Sequence, residues 1–190
     1  MTAPIKKVAV VGAGVMGAGI AAQIANAGVP VLLLDIVPTG SVNRNALAEK
    51  AIAAMLKADP APFMSKRAAK LVTPGNLEDD LGLLADCDWI VEAIVEKPDI
   101  KQALYRRLQD ARRPGSIVSS NTSTIPLRQL IDGMPQAFAA DFLITHFFNP
   151  PRYMRLLEIV PNQYTDPEVV RFMAGFIEKR LGKGIVFAKD

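Results

Sequence analysis

Residues 5–35, from Ile5 to Asp35, read IKKVAVVGAGVMGAGIAAQIANAGVPVLLLD, and the order of residue types along them decides the fold. Val8 to Val11 is a short run of small and β-branched apolar residues, the composition of a buried strand. Gly12, Gly14 and Gly17 follow in G-x-G-x-x-G spacing. Val15 to Ala27 carries no charge and many small residues, which suits a helix buried against a sheet, and Gly28 closes it. Val31 to Leu34 is a second apolar run, ending at Asp35. Strand, glycine turn, helix, strand and acid is the order of a dinucleotide-binding unit.

Each position in that unit has a physical job. Gly12 permits the tight turn, Gly14 lets the backbone approach a pyrophosphate, and Gly17 lets helix and strand pack closely. The helix N-terminus at Val15 and Met16 offers unpaired N–H groups and a partial positive charge to phosphates. Asp35, 18 residues after Gly17, accepts both hydroxyls of an adenosine ribose and repels a 2′-phosphate. The expected cofactor is therefore NAD rather than NADP. Glycines at this spacing also serve packing alone, and Val8 to Leu34 is free of charge, as a membrane span is. That run, however, holds five glycines, Pro30, Gln23 and Asn26, and its apolar character falls into two blocks. The glycines likewise interrupt any secretory leader.

Composition sets the outer bounds. A chain of 190 residues with 50% hydrophobic content can form one good-sized domain with a core. Net charge is 22 minus 19, or +3, and no basic run points to nucleic acid. Cys87 is the one cysteine, so there is no intrachain disulfide, and a reducing, cytoplasmic compartment is expected. Asp86 and Asp88 flank it and disfavour a thiolate, which makes it an inert thiol. His146 is the one histidine, so any imidazole chemistry must use it and a multi-histidine metal site is excluded.

Beyond Asp35, helices are predicted over Asn45 to Lys57, with Ala48, Ile52, Met55 and Leu56 on one side, and from Ser65 through Lys70. Lys50, Lys57, Lys66, Arg67 and Lys70 make this region basic: either a solvated face or a surface for an anionic substrate tail. Leu71 to Thr73 reads as a strand, Pro74 to Asn76 as a turn and Leu77 to Leu84 as a brief helix. Asp88 to Val95 reads as a buried strand running into Glu96, followed by a helix from Pro98 to about Arg112. Ser116 to Ser120, Asp141 to Thr145, Arg155 to Val160 and Lys183 to Ala188 read as further strands. Pro126 to Ile131 and Asp166 to Arg180 read as helices. Alternating strands and helices give an α/β fold, a Rossmann-type doubly wound, mostly parallel sheet. Only about eight residues join His146 to the strand at Arg155, too few for a parallel crossover, so reversed strands are expected at that C-terminal edge.

Ligands of such sheets bind beyond the carboxyl ends of the strands. The glycine turn, Asp35, Glu96, Ser120 to Ser123 and His146 to Asn149 all stand at such ends and should converge on one crevice. A histidine there is either a satisfied structural residue or a general base near neutral pH. Glu158, an acid within Leu156 to Val160, either faces solvent or is returned beside the imidazole by a hairpin-like turn.

His146-Phe147-Phe148-Asn149-Pro150, with Leu157-Glu158-Ile159-Val160 downstream, resembles the signature of 3-hydroxyacyl-CoA dehydrogenases. Ser120 to Ser123 is similar to that family's substrate turn, Val91 to Glu96 to its fourth-strand motif, and Gly12 to Ala21 to its glycine turn. The resemblance covers essentially the whole chain. Pro74 to Asp80 and the ending GKG-x-x-x-AKD most resemble the large bacterial members, which carry a hydratase-like portion further on.

The resemblance implies roles. His146 is implied as the base that takes the proton from the 3-hydroxyl, and Glu158 as the acid that orients the ring and stabilises the imidazolium. Ser123 and Asn149 are implied to hold the substrate's oxygen atoms, and Asp35, Glu96 and Lys101 to contact NAD. Read from its position alone, Lys101 is an exposed helix lysine. The implied activity is oxidation of an L-3-hydroxyacyl-CoA to the 3-oxoacyl-CoA in fatty-acid β-oxidation. The family also carries a helical C-terminal domain that closes over the acyl-CoA and makes the dimer. Residues 1–190 stop at Lys189-Asp190 where it should begin, so a longer protein, dimeric or larger, is expected. Two rivals are another Rossmann dehydrogenase of 3-hydroxy acids and a non-catalytic NAD-binding relative. HFFNP argues against the first, and His146, Glu158, Ser123 and Asn149 together argue against the second.

Overall fold

Four consecutive apolar residues can bury both faces of a strand, and Val8–Val11 (β1) does so inside an eight-stranded sheet. The computed structural model describes residues 4–190. β1 leads through the glycine turn into α1 (Val15–Asn26), and Gly28, at φ +79°, returns the chain to β2 (Val31–Asp35). Then come α2 (Ala46–Met55), α3 (Lys66–Ala69), β3 (Val72–Asn76), a 3-10 turn (Leu81–Asp86), β4 (Trp89–Glu92) and α4 (Pro98–Ala111). They are followed by β5 (Ile117–Ser120), α5 (Leu127–Leu130), α6 (Gln136–Ala140), β6 (Phe142–Phe147), β7 (Leu156–Pro161), α7 (Pro167–Leu181) and β8 (Gly184–Phe187).

The strand order is β3-β2-β1-β4-β5-β6-β7-β8. Strands β1 to β6 are parallel, β7 runs antiparallel to β6, and β8 follows β7 in parallel. This is the doubly wound Rossmann order with two reversed strands added at one edge, as the short link after His146 requires. The order switches direction between β1 and β4, and the crevice beyond those strand ends is where such sheets bind ligands.

Alternation along the strands builds two cores. Val8, Val10, Leu33, Trp89 and Val91 pack with α1 and α7 on one face. Ala9, Val11, Leu34, Ile90 and Val118 pack with α4 on the other. Each fully buried Val or Leu contributes about 1.5–3 kcal/mol, so the central strands are held from both sides. Helix α7 shows its boundaries plainly: Asp166 caps it by accepting from the Glu168 N–H at 2.8 Å, Pro167 opens it, and Gly182 ends it at φ +66°.

Several local expectations are corrected. β3 continues through Pro74 and Gly75 instead of turning there; it is an edge strand paired to β2 alone, where a missing N–H is tolerated. The turn comes after it, built by Asn76 Oδ1 accepting from the N–H groups of Glu78 and Asp79. That turn replaces the start of the helix read over Leu77 to Leu84. β4 stops at Glu92 rather than Val95, because the Glu92 carboxylate accepts from the Ile94 N–H and bends the chain. Leu56 is half exposed, outside the buried side of α2 that holds Ala48 and Met55. Helix α6 was not anticipated. Cys87 is buried, and burial first, with Asp86 and Asp88 adding to it, pushes its thiol up to about 11. Among the described residues, no helix is long and apolar enough to cross a membrane.

Candidate active site

The three glycines of the turn do different things. A Cβ on Gly12, which sits at φ +103°, would lie 2.5 Å from the Ala93 carbonyl oxygen, and one on Gly17 would lie 1.8 Å from the Gly12 oxygen. The fold itself excludes side chains at both. A Cβ on Gly14 would meet nothing within 4 Å, so the space above it is open. Gly14 opens α1 and brings no capping side chain, which leaves the first N–H groups of the helix, at Val15 and Met16, without intrahelical partners. Asp35 closes the other side of the turn. Its Oδ2 accepts from the Ala13 N–H at 2.6 Å and its Oδ1 from the Ile36 N–H at 2.7 Å. Each oxygen keeps a further lone pair for a ligand hydroxyl. An open cradle, a positive helix end and an oriented acid fit a pyrophosphate and an unphosphorylated ribose.

The second half of the site comes from the reversed edge. The antiparallel register sets His146 of β6 directly opposite Glu158 of β7, and His146 Nδ1 lies 2.9 Å from Glu158 Oε2. Neither side chain is fully exposed, at 18% and 34%. A neutral imidazole that donates its Nδ1–H to this carboxylate presents Nε2 as an acceptor. Asn121, at the end of β5, accepts from the Phe147 N–H at 2.8 Å and pins the backbone next to the histidine. Phe148 lies against the imidazole, ring centres 4.4 Å apart.

These parts meet. One cavity of about 460 Å³ is lined by Gly14, Val15, Met16, Glu96, Lys101, Ser123, His146 and Asn149, together with Asn121 and Phe148. A neighbouring groove of about 570 Å³ contains Asp35 and Lys50, and shares Gly14, Val15 and Asn149 with the first. Of the five basic residues from Lys50 to Lys70, all exposed, Lys50 alone lines this groove.

Lys101 is not the exposed helix residue its position suggests: it is 1% exposed, and its Nζ lies 2.6 Å from Glu92 Oε1 and 3.0 Å from Glu96 Oε2. Burial works to raise the Glu96 carboxyl. Hydrogen bonds from Thr122 Oγ1 and Lys101 outweigh that and hold it below its ordinary value. Glu92, wholly buried at the end of β4, is a site residue that the expectations above leave without a role. Its signal was present: an acid inside a strand apolar on both faces must have partners.

The family model for the 3-hydroxyacyl-CoA dehydrogenase NAD binding domain matches residues 7–190. The chain belongs to that family. NAD is accordingly its cofactor, and the glycine turn and Asp35 have the geometry to hold it. The chain is 52% identical over 186 residues to a probable 3-hydroxyacyl-CoA dehydrogenase of Deinococcus radiodurans, covering 98% of this chain and 54% of that protein. It is 45% identical to a putative fatty acid oxidation complex trifunctional enzyme of Rickettsia felis, covering 98% of this chain and 26% of that one. The crystal structure of 3-hydroxybutyryl-CoA dehydrogenase from Escherichia coli superimposes with a TM-score of 0.83 at 28% identity, over 98% of this chain and 39% of the other. The chain thus spans about half or less of the length of these relatives.

Proposed function

We propose that this NAD-binding domain supplies the cofactor site and the catalytic base of an L-3-hydroxyacyl-CoA dehydrogenase, which forms the 3-oxoacyl-CoA in fatty-acid oxidation. The observation that carries the reading is the His146–Glu158 pair on the wall of the cavity that also takes in the glycine turn. NAD, when bound, supplies the hydride acceptor. His146 Nε2 takes the proton of the 3-hydroxyl, while Glu158 holds the ring in the tautomer that leaves Nε2 free and stabilises the imidazolium that results. Ser123 and Asn149, on the same cavity wall, hold the substrate's oxygen atoms. Asp35 takes the adenosine ribose, the open face of Gly14 the pyrophosphate, and Glu96 with Lys101 the nicotinamide end.

The groove beside Asp35 extends this to the acyl-CoA. Its lining is mainly apolar, with Lys50 at its rim, which suits a long substrate arm ending in phosphates. In this reading residues 1–190 are one cytoplasmic unit of a longer, dimeric protein, in which a helical domain closes the substrate cleft. The greater length of the relatives supports it.

Calorimetric titration of the chain with NAD and NADP tests the cofactor half. NADP should bind at least about tenfold more weakly, because Asp35 meets its 2′-phosphate with like charge. Equal or tighter NADP binding contradicts the role given to Asp35.

A further inference from the structure

Glu92, to which the proposed reaction assigns no part, stands at the centre of a buried polar cluster. It is 0% exposed. Its Oε1 accepts from the Lys101 ammonium at 2.6 Å and the Ile94 N–H at 2.8 Å. Its Oε2 accepts from Ser120 Oγ at 2.6 Å and Tyr105 OH at 2.7 Å. Four donors thus surround the carboxylate, and the Lys101 ammonium is the charged one among them. Burial first, then Glu92 itself, raises the Tyr105 phenol well above its ordinary value, so it remains a donor to that carboxylate. Lys101 then reaches past Glu92 to Glu96, 3.0 Å away, and Glu96 and Lys101 both line the cavity of His146. The cluster holds two carboxylates and one ammonium. Glu92 alone can balance Lys101, which leaves the charge of Glu96 uncompensated at the cavity wall.

We propose that Glu92 is a positioning residue of the cofactor site: it neutralises Lys101, so that Glu96 faces the nicotinamide end of NAD as a net negative charge and favours the cationic ring over the neutral reduced one. This rests on the reading that NAD lies over the glycine turn with its nicotinamide end in the His146 cavity. Without Glu92, Lys101 pairs with Glu96 alone and the wall becomes neutral.

The test is calorimetric titration of wild type, Glu92→Gln and the double variant Glu92→Gln/Lys101→Met with NAD, NADH and ADP, which ends at the pyrophosphate. Glu92→Gln should weaken NAD about tenfold and lower the preference for NAD over NADH about fivefold, with ADP changed by less than about twofold. The double variant contains no unpaired buried charge and restores the net charge of Glu96. Its NAD-to-NADH preference should return to within about twofold of wild type, even where both affinities fall. That second variant carries the test if Glu92→Gln alone fails to fold. Equal weakening of NAD, NADH and ADP in Glu92→Gln, an unchanged preference there, or a preference not restored in the double variant overturns the role of Glu92 and leaves the cofactor site standing. Wild type that binds ADP with no further gain for NAD overturns both.

Discussion

His146 and Glu158 are register partners on antiparallel strands, with Nδ1 and Oε2 2.9 Å apart. The pair therefore depends on the place where, among the described residues, the sheet stops being parallel. β6 delivers the histidine to the crevice beyond the parallel strands, and β7, running back, delivers the acid to the same end. Sliding β7 by one residue would turn Glu158 to the opposite face.

Glu158→Gln keeps the shape of the acid and removes its charge. An amide can present its nitrogen to Nδ1 and favour the wrong tautomer. The expected result is a fall in kcat of about 10²–10⁴-fold with KM changed by less than about threefold, read from NADH oxidation with acetoacetyl-CoA in the full-length protein. A change confined to KM contradicts the orienting role.

The glycine turn separates folding from binding. Gly17→Ala puts a Cβ 1.8 Å from the Gly12 oxygen and should destabilise the chain by more than about 3 kcal/mol in urea unfolding. Gly14→Ala meets no atom within 4 Å and keeps an ordinary φ of −68°, so its stability should remain within about 1 kcal/mol of wild type. Its NAD affinity should nevertheless fall about tenfold or more, because the methyl group stands where the pyrophosphate would lie. Unaltered NAD binding in Gly14→Ala contradicts the cradle.

Lys183 gives a pH dependence with a definite sign. It is 4% exposed; its Nζ donates to the carbonyls of Pro151 and Met154 and lies 5.9 Å from the centre of the Phe147 ring. It thereby ties β8 to the loop that follows Asn149. Burial lowers its ammonium from the usual 10.5 to about 8. Below pH 8 the folded and unfolded states both hold the proton, and the cost of burying the charge is fully present. Between pH 8 and 10.5 the unfolded state still holds the proton and the folded state sheds it, so this group's contribution to stability rises with pH. Lys183→Met has no such titration. Wild type should gain stability relative to that variant as urea unfolding is repeated from pH 7 to pH 10. A gap that stays constant or moves against wild type contradicts the assignment.

The sequence made the first βαβ unit legible because Gly12, Gly14, Gly17, Gly28 and Asp35 are local signals, each tied to one backbone requirement. The reversed edge was legible for a similar reason, since about eight residues cannot form a parallel crossover. What escaped depended on tertiary partners. Pro74 and Gly75 read as a turn, yet the exposed edge of β2 takes them as strand. Ala93 to Val95 read as strand, yet the Glu92 side chain bends the chain before them. Lys101 read as a solvated lysine because its two carboxylate partners lie on other elements. Glu92 and Asn121 have no role legible in the sequence, because their importance lies in what they hold: the Lys101 ammonium and the Phe147 N–H.

In the proposed function His146 is the base of a 3-hydroxyacyl-CoA dehydrogenase whose cofactor lies over the glycine turn. The most direct measurement is the steady-state reduction of acetoacetyl-CoA by NADH in the full-length protein, wild type against His146→Ala, with NAD affinity measured on both. His146→Ala should lose at least about 10³-fold in kcat with NAD affinity within about twofold of wild type. Unchanged turnover in His146→Ala would contradict that role.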